Sequence, residues 1–442
     1  MTFSYLPPFL SRVFDAFAAW LDRRTAVRLP LLLAGILFAH ERRTVTSWLR
    51  AADITDEFRP AYHAVYAVGR RSERVALAAW HTVRPCLGDT RRLVVAQDDT
   101  PTPRYGPCVE GAGIHHNPTP GPAGEKFLYG HNWVSLAVLA THPTRGTIAL
   151  PLRASLYVRA KDVLKLPPDY HWPFRTKLEL AADQLRWLKP WVERRFDELV
   201  AIVDGGYAKL PYLKPAKEAG FQVISRLRKD AALRSLPGPK KPGQRGPAPT
   251  YGKARISLAK RAGQTRGWQQ LECVQYGEKV TKTYKTFLAT WRPAGGAIRV
   301  VLVKEEDDWL PLFSTNPEAT VVDILEGAAD RGAHEQTFKD VKEVWGAGQQ
   351  QVRNLYACVG CFNLNGWMYS VVEAWSWAQP EEELVDRRNS PWDDEPRRPS
   401  HADKRKALQR QVLRGEIDAA LAGPPDPGRI RELAEQLLAL AA

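Results

Sequence analysis

Hydrophobic positions change rhythm several times along the chain, and each change predicts a different kind of element. Up to about residue 88, apolar residues recur at helical spacing with few strand signals, which predicts a helical segment. Its most apolar run, Leu29 to Phe38, contains Pro30 and stops before His40, so it predicts a buried helix and not a membrane span, which needs about 20 such residues. From Arg91 the texture shifts. Leu93 to Ala96 is a short apolar strand, closed by Gln97-Asp98-Asp99-Thr100 and followed by a Pro-, Gly- and His-rich loop to about Gly124. Strand-like runs follow at Trp133–Thr141 and Thr147–Leu156, then an amphipathic helix over Thr176–Leu188. A fully apolar strand, Leu199–Val203, is closed by Asp204-Gly205-Gly206-Tyr207, and a helix leads to the strand Val223–Ser225. Strands first, then helix and strand in alternation, predict an α/β unit with a mixed sheet.

Residues 226–316 break that alternation. A Pro/Gly-rich start (Pro237 to Pro249) leads into strand-like runs at Ala254–Leu258, Gln270–Tyr276, Thr281–Thr290, Ile298–Val303 and Leu310–Ser314, which predict a β-rich insertion. Helical spacing resumes after Pro317 and continues to about Trp377. The remainder opens with a charged, Pro-rich stretch and ends in a leucine-rich helix, Arg429 to Leu440. The chain thus divides into a helical N-terminal domain (1–88), the first part of an α/β core (89–225), the insertion (226–316), the last part of the core (317–378) and a C-terminal tail and helix (379–442). A length of 442 residues suits several packed units.

Charge adds direction. The formal net charge is +14, and the stretch from Arg226 to Arg266 holds twelve basic residues against one acid, Asp230. A basic, Pro/Gly-rich segment is either a solvated linker or the footprint of a polyanion, and the concentration of charge favours the polyanion. Arg42 and Arg43 open another short element, Arg42 to Arg50, whose first turn carries cations and hydroxyls able to face phosphates. Five cysteines make no disulfide framework. With no membrane span and no secretory leader pattern, the cytoplasm is the expected location.

Three acids carry the candidate chemistry. Asp98 and Asp204 close apolar strands, where ligands bind in α/β sheets. Asp99 is the alternative to Asp98, because the doublet leaves the register open. In the helix that contains Arg331 to Lys342, Arg331, Glu335, Phe338 and Lys342 stand at i, i+4, i+7 and i+11 and share one face; Lys339 lies off it. A salt-bridged surface helix would show the same spacing.

With these residues the chain resembles bacterial insertion-sequence transposases of the DDE type, in the group whose last catalytic helix carries a Tyr-Arg-Glu-Lys signature. Arg331, Glu335 and Lys342 fit its spacing, while Ala328 stands where the signature has Tyr. Asp98 with Thr100 resembles the family's first Asp element, and Asp204-Gly205-Gly206-Tyr207 its second. The resemblance runs from about residue 40 to 375. It implies an RNase H-like mixed-sheet core, interrupted by a β-rich insertion and flanked by helical segments. It further implies Mg²⁺-dependent cleavage at element ends and strand transfer into target DNA by cut-and-paste through a hairpin. Two ions, with Mn²⁺ as a substitute, would be held by Asp98, Asp204 and Glu335. Arg331, Lys342 and, less directly, Lys339 would hold phosphates of double-stranded DNA, and Trp309 would stack on an unpaired base. A homodimer would bring two ends together. Two other readings are a transposase-derived DNA-binding protein that no longer cuts and an RNase H-like nuclease without strand transfer.

Other patterns point away from chemistry. Cys358-x-x-Cys361 lies in an apolar helical run and reads as a buried thiol pair. His115, His116 and His131 lack an acid or thiol at ligand spacing.

Overall fold

The computed structural model describes all residues except 1–4, 55, 57, 118–124, 241–244, 388–391, 395–396, 423–426, 429, 432–433 and 436–442. The helix expected over Arg429–Leu440 falls largely outside the described residues.

The N-terminal segment is helical, as its periodicity predicts: α1 (Pro8–Ala18), α2 (Arg23–Ala26), α3 (Leu29–Phe38), α4 (Val45–Ala51), α5 (Phe58–Arg70) and α6 (Ser72–Val83). Eight of the ten α3 residues are buried, so its uniform apolarity reflects a core helix. No described helix is long and apolar enough to cross a membrane. Thr44 caps α4, its hydroxyl accepting from the Ser47 amide.

The core begins with β1 (Arg92–Pro103), β2 (Gly113–His116), β3 (Phe127–His142) and β4 (Gly146–Tyr157). Then come α7 (Ala160–Val163), α8 (Lys177–Val192), β5 (Glu198–Val203), α9 (Leu210–Glu218) and β6 (Phe221–Arg226). A Thr176–Glu179 capping box starts α8 where the sequence places it. One expectation needs correction. β1 does not end at Gln97-Asp98 but runs on to Pro103, because its antiparallel partner β3 stays hydrogen-bonded over that length. What ends near Asp98 is the parallel pairing with β5, whose last register is Gln97↔Val203. Part of the expected loop is likewise strand: β2 pairs with β3.

Residues 226–316 contain β7 (Leu233–Arg234), β8 (Arg255–Ile256), α10 (Leu258–Gly263), β9 (Gln269–Gln275), β10 (Glu278–Trp291), β11 (Gly296–Lys304) and β12 (Trp309–Ser314). The strand expected at Ala254–Leu258 shrinks to two residues, because the Ser257 hydroxyl caps the Lys260 amide and starts α10 instead. β12 pairs antiparallel with β6, so these strands continue the core sheet. Its order is β2-β3-β1-β5-β6-β12-β11-β10-β7-β8, with β4 on β3 and β9 on β10. β1, β5 and β6 run parallel.

The chain closes with α11 (Val321–Glu343), α12 (Leu355–Ser376), α13 (Glu381–Leu384) and α14 (His401–Leu421). α12 protects the β4 edge. Asn363 bonds both backbone groups of Ala154, Trp367 donates to the Leu152 carbonyl at 2.7 Å, and Ser370 donates to the Pro151 carbonyl at 2.8 Å. Its other side meets the N-terminal helices, which therefore share its core. Cys358 and Cys361 are free and fully buried there, burial pushing the Cys358 thiol up to about 11. α5 and α12 cross almost backbone to backbone: a Cβ on Gly69 would lie 1.7 Å from the Tyr356 carbonyl oxygen. Gly69→Ala should therefore cost about 3 kcal/mol, at the upper end for overpacking, and show as a lower urea midpoint. An unchanged midpoint would show that this crossing can spread at no cost.

Candidate active site

The pleat of β1 and β5 decides which acids face which helix. Leu93, Val95, Leu199, Ala201 and Val203 belong to the large apolar cluster, whereas Ala96, Val200 and Ile202 belong to a second cluster with Ile324 and Leu325 of α11. Extending that alternation, Asp98 and Asp204 project toward the α11 side and Gln97 and Asp99 toward the other. The contacts agree. Gln97 is buried among Gln184, Tyr212 and the Ala181 carbonyl. Asp99 accepts from Lys177 Nζ at 2.5 Å and from the Tyr207 hydroxyl at 3.3 Å. Asp98 instead accepts from Arg331 Nη1 at 2.9 Å, across from α11.

α11 is held firmly against the sheet. Thr320 and Asp323 form a capping box at its start, and Asp323 also pairs with Arg92 of β1. The Thr337 hydroxyl donates to the Ala149 carbonyl of β4 at 3.0 Å. Gly327 lies where the helix comes closest, with Ile202 and Ile224 at 3.2 and 3.3 Å from where its Cβ would be. This places Arg331 over Asp98, and its second amino group reaches Glu335 Oε1 at 2.6 Å. One guanidinium thus joins two of the three acids.

Asp204 stands one residue beyond the Gln97↔Val203 register, beside Asp98 on a strand about 4.8 Å away. Its Oδ2 accepts from the Gly206 amide at 3.2 Å. Burial pushes the Asp98 carboxyl up to about 6. The Asp99 amide and Arg331 pull against that rise, and the Asp99 and Asp204 carboxylates add to it. The Tyr207 hydroxyl is raised far above its ordinary range by burial and then by Asp99 and Asp98. Among the described residues no three His, Cys, Asp or Glu side chains already form a metal cage. Asp98 and Asp204, side by side, and Glu335, linked to Asp98 through Arg331, offer hard carboxylate oxygens, the kind Mg²⁺ takes.

The remaining predicted residues divide. Lys342 lies half-buried near the end of α11 with no ion pair among the described residues, its ammonium lowered by burial. Lys339 is exposed. Arg42 is exposed just ahead of α4. Arg43 is tied inward, its amide donating to Gln349 Oε1 at 2.8 Å and its guanidinium to the Glu343 carbonyl at 3.4 Å. Trp309 opens β12 half-buried, with Lys229 Nζ 5.1 Å from its ring centre. Because Leu312 pairs with Arg226 at the end of β6, Trp309 lies beyond the same edge of the sheet as Asp98 and Asp204. His131 is buried against Arg104 and the Glu110 carbonyl and stands apart from the acids.

Sequence reasoning gave Lys177 no role, although it sits directly after the Thr176 cap and thereby reaches Asp99. The strands expected at Gln270–Tyr276 and Thr281–Thr290 are present as the β9–β10 hairpin, but the pattern did not indicate that it lies over α11. There Val274 donates to Glu326 at 2.8 Å, and the Tyr276 ring lies against Gly332, next to Arg331. Tyr276 and Gly277 both take positive φ, the turn that folds this hairpin back.

No protein of curated function matches the chain. A family profile described as DDE superfamily endonuclease matches residues 16–294, a span that includes Asp98, Asp99 and Asp204 and stops before Glu335. With well over half of its length inside that match, the chain belongs to the DDE superfamily of endonucleases.

Proposed function

We propose that the chain is a DNA transposase with an RNase H-like core, in which Asp98, Asp204 and Glu335 are the catalytic carboxylates. The observation that carries this is the meeting of strand and helix at one point: Asp98 and Asp204 end the parallel pairing of β1 and β5 on the α11 side, and Arg331 joins Asp98 to Glu335. The sheet supports it as well. A β4-β3-β1 antiparallel meander followed by parallel β5 and β6 is the order expected of an RNase H-like core.

Nucleases of this superfamily use divalent metals, and Asp98, Asp204 and Glu335 offer the hard carboxylate oxygens that would hold two Mg²⁺, or Mn²⁺. Such ions activate the attacking oxygen and stabilise the leaving one in an in-line displacement at phosphorus. The chain supplies the rest. Arg331, already the counter-charge of Asp98 and Glu335, is placed to pass to a DNA phosphate, and Lys342 lies further along the same helix. In the first step water displaces the 3′-oxygen at the element's end, leaving a 3′-hydroxyl and a 5′-phosphate. In the second the 3′-hydroxyl attacks a target phosphodiester and displaces the target strand's 3′-oxygen, which leaves as a 3′-hydroxyl. Trp309, next to the basic stretch that begins at Arg226, would take a base out of the stack on a hairpin route, and a homodimer would hold the two ends together.

The test is cleavage of labelled duplexes that carry the DNA flanking this gene, with Mg²⁺ or with EDTA. The wild type should nick and join only with Mg²⁺, and Glu335→Ala should be slowed by about 10²-fold or more. Binding without cleavage, equal in both proteins, would overturn the proposal and leave a DNA-binding protein.

A further inference from the structure

At the far end of β1 from its start, the β1–β2 loop and the α11–α12 loop enclose a cavity of about 380 Å³, closed on its third side by Arg42. Arg104 and Arg353 also line it, and none of its lining residues is Asp or Glu. Arg104 decides its character. It is only 7% exposed, yet it has no ion pair among the described residues. Its Nε donates to His131 Nδ1 at 3.1 Å and its Nη1 to the Gln350 carbonyl, while Nη2 has no hydrogen bond among the described residues. The Glu110 carboxylate, whose backbone carbonyl meets His131, is committed elsewhere: it accepts from the Leu355 amide at 2.7 Å and the Tyr170 hydroxyl at 3.1 Å. A buried guanidinium without a counter-ion is costly, and an anion entering the cavity would relieve that cost. Arg42 and Arg353 are exposed on the rim, where they could close on the same anion. The exposed ring of Tyr105 stands beside them.

Its place in the fold indicates which anion. Arg104 follows Asp98 by six residues along an extended chain, about 20 Å, the span of about six phosphates on one strand of a duplex. α11 covers the same interval. From Glu335 it runs past Lys342 to Glu343, whose carbonyl holds Arg43, and then enters the loop that walls the cavity. We propose that this cavity is a second DNA contact, a seat for a backbone phosphate of the strand leading away from the acids. It would fix how far the duplex extends toward the N-terminal helices. This rests on the reading of the chain as a DNA-cleaving enzyme, but it can be tested by binding alone.

The probe is a fluorescent duplex of arbitrary sequence, titrated in EDTA between about 50 and 200 mM salt, so that cleavage plays no part. Arg42→Gln/Arg353→Gln should lower the slope of log affinity against log salt by about 1, the signature of one lost phosphate contact. Arg42→Lys/Arg353→Lys should keep the wild-type slope. Both rim residues are exposed, so neither variant disturbs the Arg104 interior. A wild-type slope retained in the Gln variant overturns the inference while leaving the nuclease reading intact. A wild type without any salt dependence overturns both. Inorganic phosphate offers the remaining arm. If, at matched ionic strength, it raises the Tm of wild type but not of the Gln variant, and the DNA slope does not change, the seat belongs to a small phosphate compound and the DNA assignment is overturned.

Discussion

Asp98→Asn should reduce metal-dependent cleavage by about 10³-fold or more, whereas Asp99→Asn should leave most of it. The two residues are adjacent, have the same side chain and differ only in the face of the sheet they occupy. Asp98 shares a side with Asp204 and with Arg331 and Glu335 of α11. Its amide variant loses the negative charge and exchanges one carboxylate oxygen for a donating NH₂, which a cation cannot use as a ligand. Asp99 is spent on Lys177 and Tyr207, on the α8 side. Its amide variant keeps a hydrogen-bonding oxygen there, so it should lose a modest ion pair and little rate. Single-turnover cleavage with saturating Mg²⁺ separates the outcomes, since it reads the chemical step and not binding or product release. Equal loss in both variants would mean that the doublet acts as a unit. Loss in Asp99→Asn alone would reverse the assignment and detach Arg331 from the chemistry.

That the two faces of the doublet could be told apart only in the structure has a plain physical cause. Period-2 patterning reveals a strand's faces when one face is wet. β1 and β5 are covered on both sides, so Leu93-Val94-Val95-Ala96 and Leu199-Val200-Ala201-Ile202-Val203 are apolar throughout and say nothing about which way Asp98 points. The same uniformity did reveal the strands, just as it did the buried helix Leu29–Phe38. The helix face was legible for the complementary reason. Arg331 and Glu335 are polar residues at a fixed spacing, and the ion pair at i, i+4 is where that spacing places it. What no local pattern could supply was the closure of Arg331 on Asp98, 233 residues away in sequence. Nor could it supply the Arg104 cavity, whose walls come from three separate parts of the chain. The extent of the sheet was hidden in the same way. The runs in 226–316 were readable as strands, but their joining to β6 through Leu312↔Arg226 is a long-range pairing that composition does not encode.

The largest stability effect is expected at Glu373 on α12. Its carboxylate is fully buried between two residues of α14: Lys404 Nζ donates to Oε2 at 2.6 Å, and His401 lies 2.6 Å from Oε1. Trp345 donates to His401 Nε2 at 2.8 Å, which leaves Nδ1 as the nitrogen that donates to Glu373. Burial would raise the Glu373 carboxyl, but Lys404 and His401 outweigh it and hold the group down at about 2. Glu373→Ala strands a buried ammonium and should cost about 3–5 kcal/mol, read as a shift of the urea midpoint at neutral pH. The lowered folded-state value sets the sign with pH. The stability contributed by Glu373 is complete above the ordinary carboxylate range and drains away as pH falls from about 5 toward 2. The gap between wild type and variant should therefore be widest near neutrality and narrow through that acid window. A gap that stays constant down to pH about 3 would mean that Glu373 titrates alike folded and unfolded. The Lys404 pair would then contribute packing rather than charge to the seam where α14 holds α12.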